Sequence, residues 1–221
     1  MSREAVLGRI RAATGAAMTS GVQASMPTTR GHPALAPPGH LDDPVALFIE
    51  RASQVGAQIE SHASLAGVLD RAVEWCSARG VTRAAVWSTP EVAAVADRLR
   101  ACGIAILAPG AHPDDIARAD VGITGAEWAI AETGSLVLPS GAEQPRLPSL
   151  LPPVHLVVLR AGRILPDLRA LFARLTVLPS ALACVTGPSR SADIGSVPVL
   201  GAHGPVELHV WLIERNDDVG Q

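Results

Sequence analysis

The residues able to do chemistry lie mostly in the second half of the chain. The segment from Asp120 to Pro139 reads DVGITGAEWAIAETGSLVLP, and Glu132 is its candidate carboxylate. The spacing predicts a strand end at Val121, a loop from Gly122 to Gly125, one or two helical turns through Ala131, and a strand from Leu136 to Leu138. Glu132 then falls at the C-terminus of a short helix, where the dipole disfavours a carboxylate by roughly a few tenths of a kcal/mol. Such a group could be a nucleophile or base, or it could cap the amides of its own turn. Thr124, Thr133 and Gly134 in the same segment are candidates for holding an anion.

A second loop, TGPSRSADIG from Thr186 to Gly195, leaves a strand through a Gly-Pro turn. Backbone amides of Gly187 and Ser189 beside the Arg190 guanidinium would bind an anion, because the planar fork bonds two oxygens at once. Asp193 is close enough in sequence to hold Arg190, and an Asp193–Arg190 pair that only fixes the loop is the plainer alternative. Arg146, isolated between prolines, is a further candidate cation. His203, flanked by glycine in LGAHGP, could serve as a general acid or base near neutral pH. His155 and His209 sit inside apolar strand patterns and read as satisfied core residues.

Composition excludes several chemistries. All 18 basic residues are arginine, so a Schiff-base lysine, a P-loop lysine and a lysine base are ruled out. Cys76, Cys102 and Cys184 are scattered without a CxxC pair, and no HxH or HExxH occurs, so a metal or cluster held by this chain is not expected. No GxGxxG follows the first strand. A net charge of −3 gives no electrostatic basis for nucleic-acid binding. No apolar run approaches the ~20 residues of a membrane span or the core of a secretory signal. Cytoplasm is the expected compartment.

The elements that must position these residues follow an α/β alternation. Residues 1–40 read as an N-terminal appendage: an amphipathic helix from Ser2 to about Ala17, then a Pro- and Gly-rich linker to His40. That helix could dock on a partner or pack on its own domain. Residues 41–221 read as one α/β domain. Asp43-Pro44 opens a helix carrying Phe48, Ala52, Val55 and Ile59 at helical spacing. A second helix from Leu65 stops at Gly80, a third after Pro90 stops at Gly103, and each is followed by a short apolar run, Ala84–Trp87 and Ile104–Leu107. Strands separated by helices run parallel, and strands without alternation are buried on both faces. Later strands are expected at Leu136–Leu138, His155–Leu159, Leu182–Thr186 and Leu208–Ile213. Loops at the strand ends should bring Glu132, Arg146, Arg190, Asp193 and His203 to one cleft.

Four blocks, GITGAEWAIAETGSLVLP, RLPSLLPPVHLVVL, TGPSRSADI and LGAHGPVELHVWLI, resemble in order and spacing the LUD-domain family, and within it the C subunits of bacterial lactate-utilization systems. Gly195 stands where the family commonly has an acidic residue, and Ser135 where threonine is common. The resemblance implies a three-layer α/β/α sandwich with a mainly parallel sheet, like that of sugar-phosphate isomerases and CoA-transferases. It implies a part in oxidising L-lactate to pyruvate, with iron–sulfur clusters in partner subunits and no cofactor in this chain. A small carboxylate or other anion is then the expected ligand. A stand-alone transferase or ligase acting on an acyl or phosphorylated small molecule, with Glu132 as nucleophile or base, and a non-catalytic scaffold are the alternatives.

Overall fold

The computed structural model describes residues 43–176, 179–192 and 198–214, with backbone only at 191, 192 and 198–200. The expected N-terminal helix and linker and the Asp193 candidate lie outside these residues.

Helix α1 (Pro44–Gln54) starts where its cap demands. The Asp43 carboxylate accepts from the amides of Val45 and Ala46 at 3.0 and 2.9 Å, and Pro44 fills the first helical position. The helix ends before Ile59, which the helical spacing had included. Gly56 turns the chain with φ 95°, and Ala57 donates back to the Ala52 carbonyl at 3.0 Å. Ile59 therefore lies on strand β1 (Gln58–His62). Helix α2 (Leu65–Arg79) ends at Gly80 with φ 64°, as its glycine predicts, and leads into β2 (Arg83–Val86). Helix α3 (Pro90–Ala101) ends just before Gly103 with φ 86° and leads into β3 (Ala105–Leu107). A short helix α4 (Pro113–Ala117) precedes β4 (Val121–Gly125).

The segment after β4 departs from the expected helical turns. Trp128–Ile130 is a strand, β5, paired antiparallel with β6 (Ser135–Pro139) in the register Trp128↔Val137. Gly134, with φ 65°, closes the hairpin. Alanines favour helix by propensity, but pairing on two edges outweighs that weak local preference. The remaining elements are β7 (Val154–Arg160), β8 (Ile164–Leu165), helix α5 (Leu168–Arg174), β9 (Leu182–Val185), a small hairpin of β10 (Arg190–Ala192) and β11 (Pro198–Leu200), and β12 (Glu207–Ile213).

Six strands form one parallel sheet in the order β1-β12-β7-β4-β2-β3, and four form a mixed sheet in the order β8-β5-β6-β9. Side chains of β7 alternate between the two faces of the parallel sheet. One face carries Trp211 and Ile123 against α2 and α3. The other carries His155, Leu208 and Gly122 toward the loop before β7 and the end of β9. Apolar residues of both sheets, among them Leu136, Leu156, Trp211 and Leu212, share one core. Gly122 is required by close approach, because a Cβ there would sit 1.7 Å from the Pro148 carbonyl oxygen.

Candidate functional site

Of the candidate residues, Gly187 and Ser189 line a cavity at the amino ends of β7 and β12, beside His155; Glu132, Arg146, Arg190 and His203 do not line it. The cavity of about 20 Å³, room for roughly one water molecule, is lined by Ser149, His155, Gly187 and Ser189, with Val185, Pro188, Pro205 and Leu208. The imidazole of His155 is buried and its Nε2 lies 2.8 Å from Thr124 Oγ1. Burial alone pushes that ring down to about 3, so it is neutral throughout the physiological range and acts as a hydrogen-bonding core residue. Thr124 thus reaches the cavity through His155. His203 contributes its backbone: its amide donates to Ser189 Oγ at 3.3 Å while the residue stays exposed.

A row of hydroxyls adjoins this loop. Thr133 Oγ1 lies 2.7 Å from Ser135 Oγ, which lies 2.6 Å from Thr186 Oγ1, the residue before Gly187. Gly134 packs on α1, where a Cβ would stand 2.3 Å from the Ala52 nitrogen. The Ser189 amide, expected to be free for an anion, donates to the Pro205 carbonyl at 2.8 Å, because the loop is laced to the chain leading into β12. Arg190 extends its guanidinium over Gly56, with Nη2 only 2.5 Å from the position a Cβ would take there. Arg146 caps the 3-10 turn Leu147–Ser149, its carbonyl accepting from Ser149 Oγ at 2.8 Å, and its side chain is exposed. Glu132 is exposed in the β5–β6 turn and does not end a helix; its amide donates to the Pro166 carbonyl at 3.1 Å.

This gathering is at the amino edge of the parallel sheet, whereas ligands of such sheets sit beyond the carboxyl ends. The carboxyl edge holds a second cluster that the sequence reading passed over. Arg160, at the end of β7, donates from Nε to Glu91 Oε1 at 2.6 Å, and both side chains are largely buried, 16% and 10% exposed. Burial works against the charge on Glu91. The hydrogen bond from Arg160, a backbone hydrogen bond, and the charges of Arg163 and Arg160 outweigh it, holding the carboxyl below its ordinary value. Arg163 stands beside this pair, 3.8 Å from Glu91 and 3.9 Å from Glu127, and donates to the Ala126 carbonyl at 3.3 Å. Two signals were available in the sequence: an arginine directly after the apolar run of β7, and a carboxylate next to Pro90 at the start of the helix that follows β2.

Among the described residues no group of three or more His, Cys, Asp or Glu is arranged to hold a metal ion, and no helix is long and apolar enough to cross a membrane. What the coordinates define is a three-layer α/β protein, with a six-strand parallel sheet flanked by helices and polar clusters at both of its edges. Residues 110–213 match the family model of the LUD domain. It is 35% identical over 131 residues to the protein YkgG of Escherichia coli, covering 54% of this chain and 57% of that one. It is 38% identical over 103 residues to lactate utilization protein C of Bacillus subtilis, covering 43% of each. For lactate utilization protein C of Halalkalibacterium halodurans the identity is 35% over 104 residues, covering 44% of this chain and 45% of that one. The chain spans about half the length of the curated relatives it matches. A DUF162 family protein from Deinococcus radiodurans has a similar structure, with TM-score 0.56 and 25% identity over 77% of this chain and 96% of that one.

Proposed function

We propose that this chain serves L-lactate utilization as a subunit that holds a small carboxylate and acts with iron–sulfur partners in oxidising L-lactate to pyruvate. The observation that carries the reading is the likeness of residues 110–213 to the LUD domain, together with relatives named lactate utilization protein C. That stretch contains all the strands from β4 to β12, and with them both polar clusters except Glu91. Oxidation of a hydroxy acid removes two electrons, and protein side chains do not turn over as an acceptor. The proposal therefore hands the electrons to clusters in partner subunits. This chain contributes binding and assembly.

The test is an assay of the isolated chain with L-lactate and an artificial electron acceptor, repeated after adding candidate iron–sulfur subunits from the same organism. The reading expects no turnover alone, association with those subunits, and turnover in the mixture. Turnover by the isolated chain, or no association, contradicts it.

A further inference from the structure

The chain has four Trp and two Phe side chains, and it covers five of the six at least in part. The sixth, Phe172 on α5, is 62% exposed. Leu168, one helical turn before it, is 42% exposed, so the i, i+4 spacing sets two large apolar side chains on one outward stripe. The opposite face fixes the helix in place: Ala170 and Leu171 are buried in a small cluster with Ile130, Val137 and Leu165 of the mixed sheet. Asp167 fastens the start, its carboxylate accepting from the Ala170 amide at 2.8 Å. The stripe is thus held ready by an anchored element, which lowers the ordering cost of binding.

Charge around the stripe has one sign. The charged residues of α5 are Arg169 and Arg174, both exposed, and Arg174 donates to the Ala170 carbonyl at 3.3 Å. Asp167 is turned onto its own helix, and Glu132, whose amide bonds the Pro166 carbonyl, stands at the end of the helix away from Arg174. Phenylalanine beside arginine is a pairing enriched where proteins meet. A second copy of this chain fits poorly, because a two-fold contact lays the patch on itself and sets arginine against arginine. The net charge of −3 disfavours nucleic acid. An acidic protein face answers both features, with an apolar depression for Phe172 and carboxylates for the guanidinium fork.

We propose that the Leu168–Phe172 stripe of α5, with the arginines around it, is a docking surface for an acidic face of a partner protein. Phe172 and Leu168 supply the apolar contact, and Arg174 meets a carboxylate at its rim and steers the encounter. The surface is argued from the helix itself. The choice of partner to try rests on the lactate-utilization reading, which calls for iron–sulfur subunits.

The experiment measures binding of the full chain to candidate iron–sulfur subunits from the same organism, at low and at high salt, by biolayer interferometry. It is repeated on Phe172→Ser, on Arg174→Glu and, as a control at an exposed apolar residue in the loop before β7, on Leu151→Ser. Phe172→Ser and Arg174→Glu should each weaken association tenfold or more with the urea midpoint unchanged, and Leu151→Ser should bind as the parent does. High salt should weaken the parent, and Arg174→Glu should lose most of that salt dependence. Arg174→Glu carries the test alone if Phe172→Ser fails to fold. Unchanged association in either folded α5 variant overturns the surface, as does an equal loss in Leu151→Ser. A Phe172-dependent dimer of the chain alone in sedimentation, or Phe172-dependent binding to phosphatidylserine vesicles, assigns the stripe to another occupant and also overturns it. No association of the parent with any of the subunits sinks the wider reading and this partner with it, whereas association that ignores the α5 variants sinks only the surface.

Discussion

His155 is a base held neutral by its surroundings, and that has a measurable cost in acid. Its folded pKa is pushed down by burial to about 3, below the ordinary value of 6.5. Between these values the unfolded chain binds a proton that the folded chain does not, so stability is full above pH 6.5 and falls as pH drops toward 3. One such proton gives a slope of about 1.4 kcal/mol per pH unit. The lowered carboxyls of Glu60, Glu91, Glu207 and Asp120 lose their stabilisation only as pH falls through the ordinary carboxylate range, so pH 5–6.5 isolates the histidines. His62, also lowered mainly by burial, acts in the same direction. Urea unfolding from pH 5 to 6.5 should show this slope, and His155→Gln should flatten it by most of one proton while leaving the His62 share. At the same scale, Gly122→Ala should destabilise by about 3 kcal/mol or more, because the added methyl meets backbone and not a movable side chain. A urea midpoint within error of the wild type would show that the loop before β7 gives way freely.

Asp120 ties two elements together at their starts. Its Oδ2 accepts from the Thr82 amide at 2.8 Å, the Thr82 hydroxyl at 3.0 Å and the Arg83 amide at 2.9 Å, pinning the entry of β2 beside β4. Asp120→Ala leaves those donors to water at a partly exposed site, and a loss of about 2 kcal/mol is expected by denaturant titration. The pair of Arg160 with Glu91 plays the same part at the other edge, joining β7 to the first turn of α3. Removing the arginine alone leaves a carboxylate that is mostly buried, so Arg160→Met should cost about 3 kcal/mol, and a double-mutant cycle with Glu91→Gln should recover much of it. Local signals made much of this level legible before any coordinates. α2 and α3 end at the glycines that a left-handed cap requires, and β2 and β3 follow as short apolar runs. Where partners are distant in sequence, the local signal misleads. Ile59 fits the spacing of α1, yet Gly56 ends that helix and β12 claims Ile59 as a strand partner of Val210. Trp128–Ile130 looks helical from its alanines, yet β6 and β8 hold it extended.

At the level of the whole molecule, the parallel sheet separates two kinds of polar residue. The amino edge gathers Ser149, His155, Gly187 and Ser189 around a space for little more than a water, and His155 reaches from there to the Thr124 hydroxyl. Arg190→Lys separates the two roles left for that loop: a carboxylate held by the guanidinium fork should weaken tenfold or more in titration, whereas a loop fastener should leave ligand binding unchanged. The carboxyl edge gathers Glu91, Glu127, Arg160 and Arg163 from three separate stretches of chain. Gly187 and Ser189 stood out in the sequence because they lie in a glycine- and serine-rich loop. The second cluster did not, because Arg160 and Glu91 are 69 positions apart and only the fold brings them together across β4. Both edges serve a lactate-utilization role only if the intact chain is needed for growth on that acid. The direct measurement is growth of the encoding organism, with the gene deleted, on L-lactate and on pyruvate as sole carbon sources. The account predicts loss of growth on L-lactate, normal growth on pyruvate, and recovery on returning the intact gene. Growth of the deletion strain on L-lactate at the parental rate would contradict it.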